Sequence, residues 1–146
     1  MTSYGGSPIL LLEDERGTGT LIVQLLAAAR IANVVEWVET GTEALAYLDR
    51  AVTGEVTFPV ICVLDLSLPD VTGLDVLRHM RKHEQLSHIP VIMLTGSGHD
   101  ADIEAAYELG IDAYLIKPAG VHGLPDVILE LDLGYQLLPV NAGRRG

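Results

Sequence analysis

The sequence is short of positive charge, cysteine and long apolar runs, and each shortage argues against a class of protein. Nine Lys and Arg stand against 20 Asp and Glu in 146 residues, and the net charge of −11 argues against binding to the phosphate backbone of nucleic acids. The single cysteine, Cys62, has no partner for a disulfide within the chain, which fits a reducing cytoplasm. No run approaches the ~18 apolar residues of a membrane span, and the first residues lack the features of a signal peptide. We therefore expect a cytoplasmic protein that binds neither nucleic acid nor membrane.

What the sequence does contain is an alternation of short apolar runs and longer segments with helical spacing. Apolar residues make up 49% of the chain, which is enough for one core in a single domain. The short runs cover residues 9–12, 34–38, 60–64, 91–94 and 113–116. Because parallel strands need a crossover connection, strands that alternate with helices predict a parallel sheet. We therefore expect an α/β fold with a doubly wound, five-stranded parallel sheet and helices on both faces.

The segments between the runs carry apolar stripes that indicate four helices. The stripes comprise Leu21, Leu25 and Ala28 or Ala29; Ala44, Leu45 and Leu48; Leu74, Leu77 and Met80 or Arg81; and Ile103, Ala106 and Leu109. Gly110 directly follows the last stripe and is typical of a helix C-terminus. Trp37, inside the second run, is interpreted as a packing residue.

Polar side chains follow several of the predicted strands. Glu13 and Asp14 follow the first run, Asp65 the third, Thr95 the fourth and Lys117 the fifth. Singly, each has an ordinary explanation as a solvated charge or a turn residue. The carboxyl ends of strands in a doubly wound sheet meet at one edge, however, and ligands bind there. Three carboxylates at this edge would repel one another, and hard oxygen ligands select Mg²⁺ or Mn²⁺. Lys117 and Thr95 would then serve as partners for an anion, and we expect a phosphoryl group.

The segments ILLLEDE, VLDLSLPDVTG, MLTGSG and DAYLIKP, in this order and over nearly the whole chain, resemble the receiver domain of two-component response regulators. The resemblance implies a flavodoxin-like fold and a phosphoacceptor, Asp65, that receives its phosphoryl group from a sensor histidine kinase. It also implies a protein that assists its own phosphorylation and dephosphorylation rather than an enzyme. The further implied roles are metal binding by Glu13, Asp14, Asp65 and the Ser67 carbonyl, phosphoryl contacts by Thr95 and Lys117, and a switch formed by Thr95 and Tyr114 that changes the face of helix 4, strand 5 and helix 5.

The C-terminal part departs from the commonest receiver pattern. Pro125 predicts a short fifth helix over residues 124–133, and the resemblance suggests a cis Lys117–Pro118 bond. The following GYQLLPV resembles the tail of stand-alone regulators that serve phytochrome-type histidine kinases, so we expect no DNA-binding output domain and an output by protein contact or phosphate relay. We therefore expect a receiver domain over residues 1–134 and a tail over 135–146. The apolar residues of this tail predict a homodimer, with the alternative that the tail folds back on its own sheet.

Two other functions remain open on the same fold. A flavodoxin-like flavin carrier would need a first loop that wraps a phosphate, and the acidic Glu13, Asp14 and Glu15 would repel one. A pseudo-receiver that acts only as a scaffold would have lost Asp65 or Lys117, and both are present. Ser67 stands where a haloacid-dehalogenase phosphatase has a second Asp, which argues for a stable aspartyl phosphate.

Overall fold

The computed structural model describes residues 7–96 and 100–131, which form a single parallel sheet covered by helices. The strands are β1 (Ile9–Leu12), β2 (Val35–Val38), β3 (Ile61–Leu64), β4 (Val91–Thr95) and β5 (Ala113–Ile116). The helices are α1 (Arg16–Ala28), α2 (Gly41–Val52), α3 (Gly73–Lys82), α4 (Asp100–Glu108) and α5 (Ala119–Glu130). None of the helices in the described part of the chain combines the length and apolar character needed to cross a membrane. The predicted domain end at residue 134 and the predicted tail lie outside the described residues.

The sheet order is β2-β1-β3-β4-β5 with all neighbours parallel, which confirms the doubly wound fold. β1 lies between β2 and β3, and Leu12 at its end pairs with Val38 of β2 and with Leu64 of β3. The carboxyl ends of β1 and β3 are therefore adjacent and level. This register brings the residues that follow the two strands to the same edge.

The core consists of two apolar clusters, one on each face of the sheet. Leu10 and Leu12 point to the cluster formed with α2, α3 and α4, whereas Ile9 and Leu11 point to the cluster formed with α1 and α5. All four side chains are at most 1% exposed. Because both faces of the strand are covered, the strand sequence is a continuous apolar run rather than an alternation.

Helix α5 corrects the prediction of a short helix that starts near Leu124. It begins at Ala119 and contains Pro125 in its interior. Proline there removes one backbone hydrogen bond and costs about 3 kcal/mol. The same helix buries Val121, Leu124 and Ile128 to between 0% and 4% exposure, at about 1.5–3 kcal/mol each. Burial against the sheet therefore outweighs the cost of the proline.

The prediction of the buried stripe of α1 was wrong by one position along the chain. Its buried apolar residues are Ile22 and Leu26, while Leu21 and Leu25 are half-buried and Ala28 is exposed. Almost every position from Leu21 to Ala29 is apolar, so the sequence does not define which side faces the sheet. The packing of α1 against the sheet decides it. The predicted cap at Gly110 is confirmed by its φ of 79°.

Candidate functional site

Glu13 and Asp65 are held at the edge of the sheet by backbone hydrogen bonds that continue past the strands. The Glu13 N–H donates to the Val38 carbonyl at 3.0 Å, and the Asp65 N–H donates to the Leu12 carbonyl at 3.1 Å. Both side chains are buried, with Glu13 1% and Asp65 4% exposed. Two buried carboxylates next to each other need a cation, because burial and mutual repulsion both disfavour the charged form.

Lys117 supplies a cation to both carboxylates. Its Nζ lies 2.7 Å from Glu13 Oε1 and 2.9 Å from Asp65 Oδ2. Burial raises the pKa of Glu13, and the hydrogen bond from Lys117 opposes this shift. Burial by itself would lower the pKa of Lys117, but the hydrogen bonds to Glu13 and Asp65 outweigh it and the pKa is raised. Lys117 is therefore a cation at neutral pH. The Lys117–Pro118 bond is cis, as predicted.

A second chain of hydrogen bonds joins Asp65 to Thr95. The Ser67 N–H donates to Asp65 Oδ1 at 3.0 Å, and the Ser67 and Thr95 hydroxyl oxygens are 2.9 Å apart. The Thr95 carbonyl accepts from the Lys117 N–H at 2.9 Å, and the Thr95 side chain is fully buried. Thr95 and Lys117 are thus connected to different carboxylate oxygens of Asp65, Thr95 through Ser67 and Lys117 directly.

Asp14 completes a set of three carboxylates. One oxygen from each of Glu13, Asp14 and Asp65 lies within 4.8 Å of the others. Asp14 is exposed, whereas the two oxygens of Glu13 already accept from Lys117 Nζ and from the Glu15 N–H. A set of carboxylate oxygens without histidine or thiolate fits a hard divalent cation such as Mg²⁺ or Mn²⁺. The sequence-predicted acids are therefore brought together in an arrangement that a metal ion can use.

Tyr114 lies on β5 at the position that pairs with Met93 of β4. It is half-buried and packs against the core cluster shared by α2, α3 and α4. Burial, followed by the charges of Asp102 and Asp65, raises the pKa of Tyr114. Tyr114 therefore lies on the strand that pairs with the end of β4, two register positions before the pair of Thr95 and Ile116, and its role as a switch stays a prediction.

Two residues contact the site although the sequence did not predict them as site residues. Gly73, the first residue of α3, lies so close to the Asp65 carbonyl that a Cβ would be 2.2 Å from that oxygen. Trp37 donates its indole N–H to the Glu13 carbonyl at 2.9 Å. The position of Gly73 at the start of a helix soon after Asp65 could have indicated this close approach. No local signal connects Trp37 to Glu13.

Comparison with known proteins agrees with this geometry. A family model described as the response regulator receiver domain matches residues 9–129. Among curated proteins, the chain is 36% identical over 134 residues to the probable methanogenesis regulatory protein FilR2 of Methanothrix harundinacea, covering 90% of this chain and 86% of that protein. It is 32% identical over 117 residues to the response regulator Rcp1 of Synechocystis, covering 80% of each chain.

Solved structures give the same result. The Mn²⁺-bound form of response regulator Rcp1 has a TM-score of 0.77 and 30% identity, covering 86% of this chain and 96% of that chain. The phosphorylated cyanobacterial phytochrome response regulator RcpA has a TM-score of 0.74 and 31% identity, covering 84% and 89%. The bacteriophytochrome response regulator RtBRR has a TM-score of 0.78 and 36% identity, covering 95% and 89%.

Proposed function

Since the chain belongs to the response regulator receiver domain family, we propose that it accepts a phosphoryl group on Asp65 from a histidine kinase, with Mg²⁺ at the neighbouring carboxylates. The observation that carries this proposal is the position of Lys117. Its ammonium lies within 2.9 Å of both Asp65 and Glu13, at the point where three carboxylates meet. A carboxylate that attacks phosphorus needs cations beside it, because its target carries negative oxygens.

The proposed reaction is a single transfer of a phosphoryl group to Asp65. A carboxylate oxygen of Asp65 attacks the phosphorus of a phosphohistidine in line, the new O–P bond forms as the P–N bond breaks, and the imidazole leaves. Lys117 stabilises the charge on the phosphoryl oxygens. A divalent cation held by Glu13, Asp14, Asp65 and the Ser67 carbonyl would neutralise the same charge when bound. The same groups would assist dephosphorylation, in which water attacks the phosphorus, the P–O bond to Asp65 breaks and inorganic phosphate leaves.

Thr95 is the residue through which phosphorylation of Asp65 would change the face formed by α4, β5 and α5. Its hydroxyl bonds to Ser67 at 2.9 Å before phosphorylation, and it would exchange this partner for a phosphoryl oxygen on Asp65. The exchange would move the end of β4 and give Tyr114 room to turn inward. The face formed by α4, β5 and α5 would then differ between the two states.

The acceptor is tested by intact-mass analysis after incubation with acetyl phosphate and Mg²⁺. We expect one added phosphoryl group on the parent and none on Asp65→Asn. Asp70→Asn is a matched control, because Asp70 is an exposed acid five positions later whose φ of 61° asparagine tolerates well. Equal labelling of Asp65→Asn and the parent would assign the acceptor to another residue.

The kinase partner is proposed to be of the phytochrome type. The names of RcpA and RtBRR link those regulators to phytochromes, and they resemble this chain at 31% and 36% identity. The net charge of −11 further supports a protein partner rather than nucleic acid or an anionic membrane, and the single cysteine supports a cytoplasmic location. Phosphotransfer from a phosphorylated phytochrome-type kinase should be faster than transfer from an unrelated histidine kinase. Equal rates would contradict the phytochrome assignment.

A homodimer built on α4, β5, α5 and the tail is the proposed assembly. Tyr107 of α4 and Ile116 of β5 support it, because these apolar side chains are 53% and 45% exposed on that face. Sedimentation of the full chain should give a dimer, whereas a chain that ends at Leu133 should dimerise more weakly. A monomer at tens of micromolar for both, with and without phosphorylation, would refute the proposal.

The other two functions on this fold are less well supported. A flavin carrier is not favoured, because the family match is to receivers and the loop after β1 carries Glu13, Asp14 and Glu15. Absence of a flavin absorption band in the purified protein is the expected result. A scaffold without phosphorylation is disfavoured by the direct contact of Asp65 with Lys117.

A further inference from the structure

Trp37, the only tryptophan of the chain, contacts the acidic loop between β1 and α1 from the neighbouring strand. It lies on β2 opposite Leu11 of β1, and its side chain packs in the core cluster on the α1 and α5 face. Its Nε1–H donates to the backbone carbonyl of Glu13 at 2.9 Å. The acceptor therefore belongs to the residue that also contacts Lys117 and that immediately precedes Asp14.

The Trp37 ring is also held by the first turns of α1. A Cβ at Gly19 would lie 2.0 Å from the indole ring, so only a glycine leaves room for the ring at this position. Trp37 thus contacts the acidic loop at its first residue, Glu13, and the helix that follows the loop at Gly19. The ring spans the segment that carries two of the three carboxylates.

The consequence concerns the conformation of the loop. Asp14 is exposed, so the backbone on either side of it determines where its carboxylate lies relative to those of Glu13 and Asp65. A loop that leaves this conformation separates the carboxylates, and only the fraction of molecules in the competent conformation binds metal at full strength.

We propose that Trp37 is a positioning residue that holds the acidic loop in its metal-binding conformation through the hydrogen bond to the Glu13 carbonyl. This inference rests on the proposed function, since the metal is part of that proposal. Trp37→Phe keeps an aromatic ring in the pocket, removes the N–H donor and shortens the ring beside Gly19, and the urea unfolding of the same variant measures the packing loss. We expect it to weaken Mg²⁺ binding about threefold to tenfold, the change that corresponds to one hydrogen bond of ordinary net strength.

The experiment is a calorimetric Mg²⁺ titration combined with urea unfolding of each variant. Gly19→Ala should weaken Mg²⁺ binding as Trp37→Phe does, because the added methyl displaces the ring while the indole stays in the sequence. Gly17→Ala is the matched control on the same helix, since nothing lies within 4 Å of its Cβ position. Tyr47→Phe is the second control, because it removes another aromatic donor to a backbone carbonyl, that of Thr57 at 3.2 Å, away from the site.

The two controls should lose no Mg²⁺ affinity, even if Tyr47→Phe loses stability. Unchanged Mg²⁺ affinity in folded Trp37→Phe would overturn the inference, and so would an equal loss of affinity in Tyr47→Phe. If Trp37→Phe does not fold, Gly19→Ala decides the question in the same way. Failure of the parent to bind Mg²⁺ would instead overturn the proposed metal site, and the inference with it.

Discussion

Replacement of Lys117 by methionine tests whether this ammonium and a divalent cation neutralise the same carboxylates. The Lys117 Nζ is 2.7 Å from Glu13 and 2.9 Å from Asp65, and the two acids are 1% and 4% exposed. Removal of one partner from a buried ion pair costs about 3–5 kcal/mol, because the remaining charge is left without compensation. The Lys117 side chain is still 19% exposed, so we expect the lower end, about 3 kcal/mol, in the absence of metal.

Mg²⁺ should restore most of this loss. A ligand that binds only the folded state at 100 times its dissociation constant stabilises it by about 2.7 kcal/mol. In the parent, part of this gain is offset because the metal takes carboxylate oxygens that Lys117 already neutralises. The free energy of unfolding should therefore rise more with Mg²⁺ in Lys117→Met than in the parent.

The measurement is urea unfolding followed by circular dichroism, with EDTA or with saturating MgCl₂. Lys82→Met is the matched control, because Lys82 is an exposed lysine at the end of α3 and should change stability by less than about 1 kcal/mol. A loss below about 1 kcal/mol in Lys117→Met without metal, or equal Mg²⁺ stabilisation of variant and parent, would refute the reasoning.

Three further predictions follow from single contacts. Ser67→Ala removes the hydroxyl that holds Thr95, so phosphorylation by acetyl phosphate should be about fivefold faster; an unchanged or slower rate would contradict this. Gly73→Ala places a Cβ 2.2 Å from the Asp65 carbonyl and should lower the free energy of unfolding by about 1–3 kcal/mol, which parental stability in urea would contradict. Burial raises the pKa of Cys62 from 9.0 to about 12, so the thiol should resist DTNB until the protein unfolds; rapid labelling of the native protein would contradict its burial. Because the folded state keeps this proton longer, its contribution to stability is complete below pH 9 and is lost as the pH rises towards 12.

The inner strands β1, β3 and β4 were predictable because each is covered on both faces. A strand such as Ile61–Leu64, fully buried, has no exposed position for a polar residue, so it stands out as a continuous apolar run. The predicted runs accordingly agree with the observed strands to within one residue, as with β2, which starts at Val35 instead of residue 34. The parallel direction of the strands followed from the helices between them, because parallel neighbours need a crossover connection.

The helices were less predictable because their faces depend on what covers them. Leu21 and Ile22 are both apolar, and only the packing of α1 on the sheet makes Ile22 the more buried of the two. Pro125 is a local signal against a helix, yet the burial of Leu124 and Ile128 keeps it inside α5. In both cases a tertiary contribution outweighs the local one.

The identities of the site residues were also predictable from sequence, because parallel strands present their carboxyl ends at one edge. That rule alone brings Glu13, Asp14, Asp65, Thr95 and Lys117 together, and their proposed roles came from the resemblance to receivers. It does not say which atoms meet. Lys117 is 52 positions from Asp65, and its choice of Asp65 and Glu13 as partners depends on the positions of three strands.

The contact between Trp37 and the acidic loop was decided by the tertiary structure alone. Trp37 reaches Glu13 because β2 is the edge strand beside β1, and because the ring is on the face that α1 covers at Gly19. Local sequence specifies that Trp37 lies in a strand and that Gly19 lies in a helix. It carries no record of which strand is the neighbour or which helix covers it, since strand order and helix placement are set by the packing of the whole core.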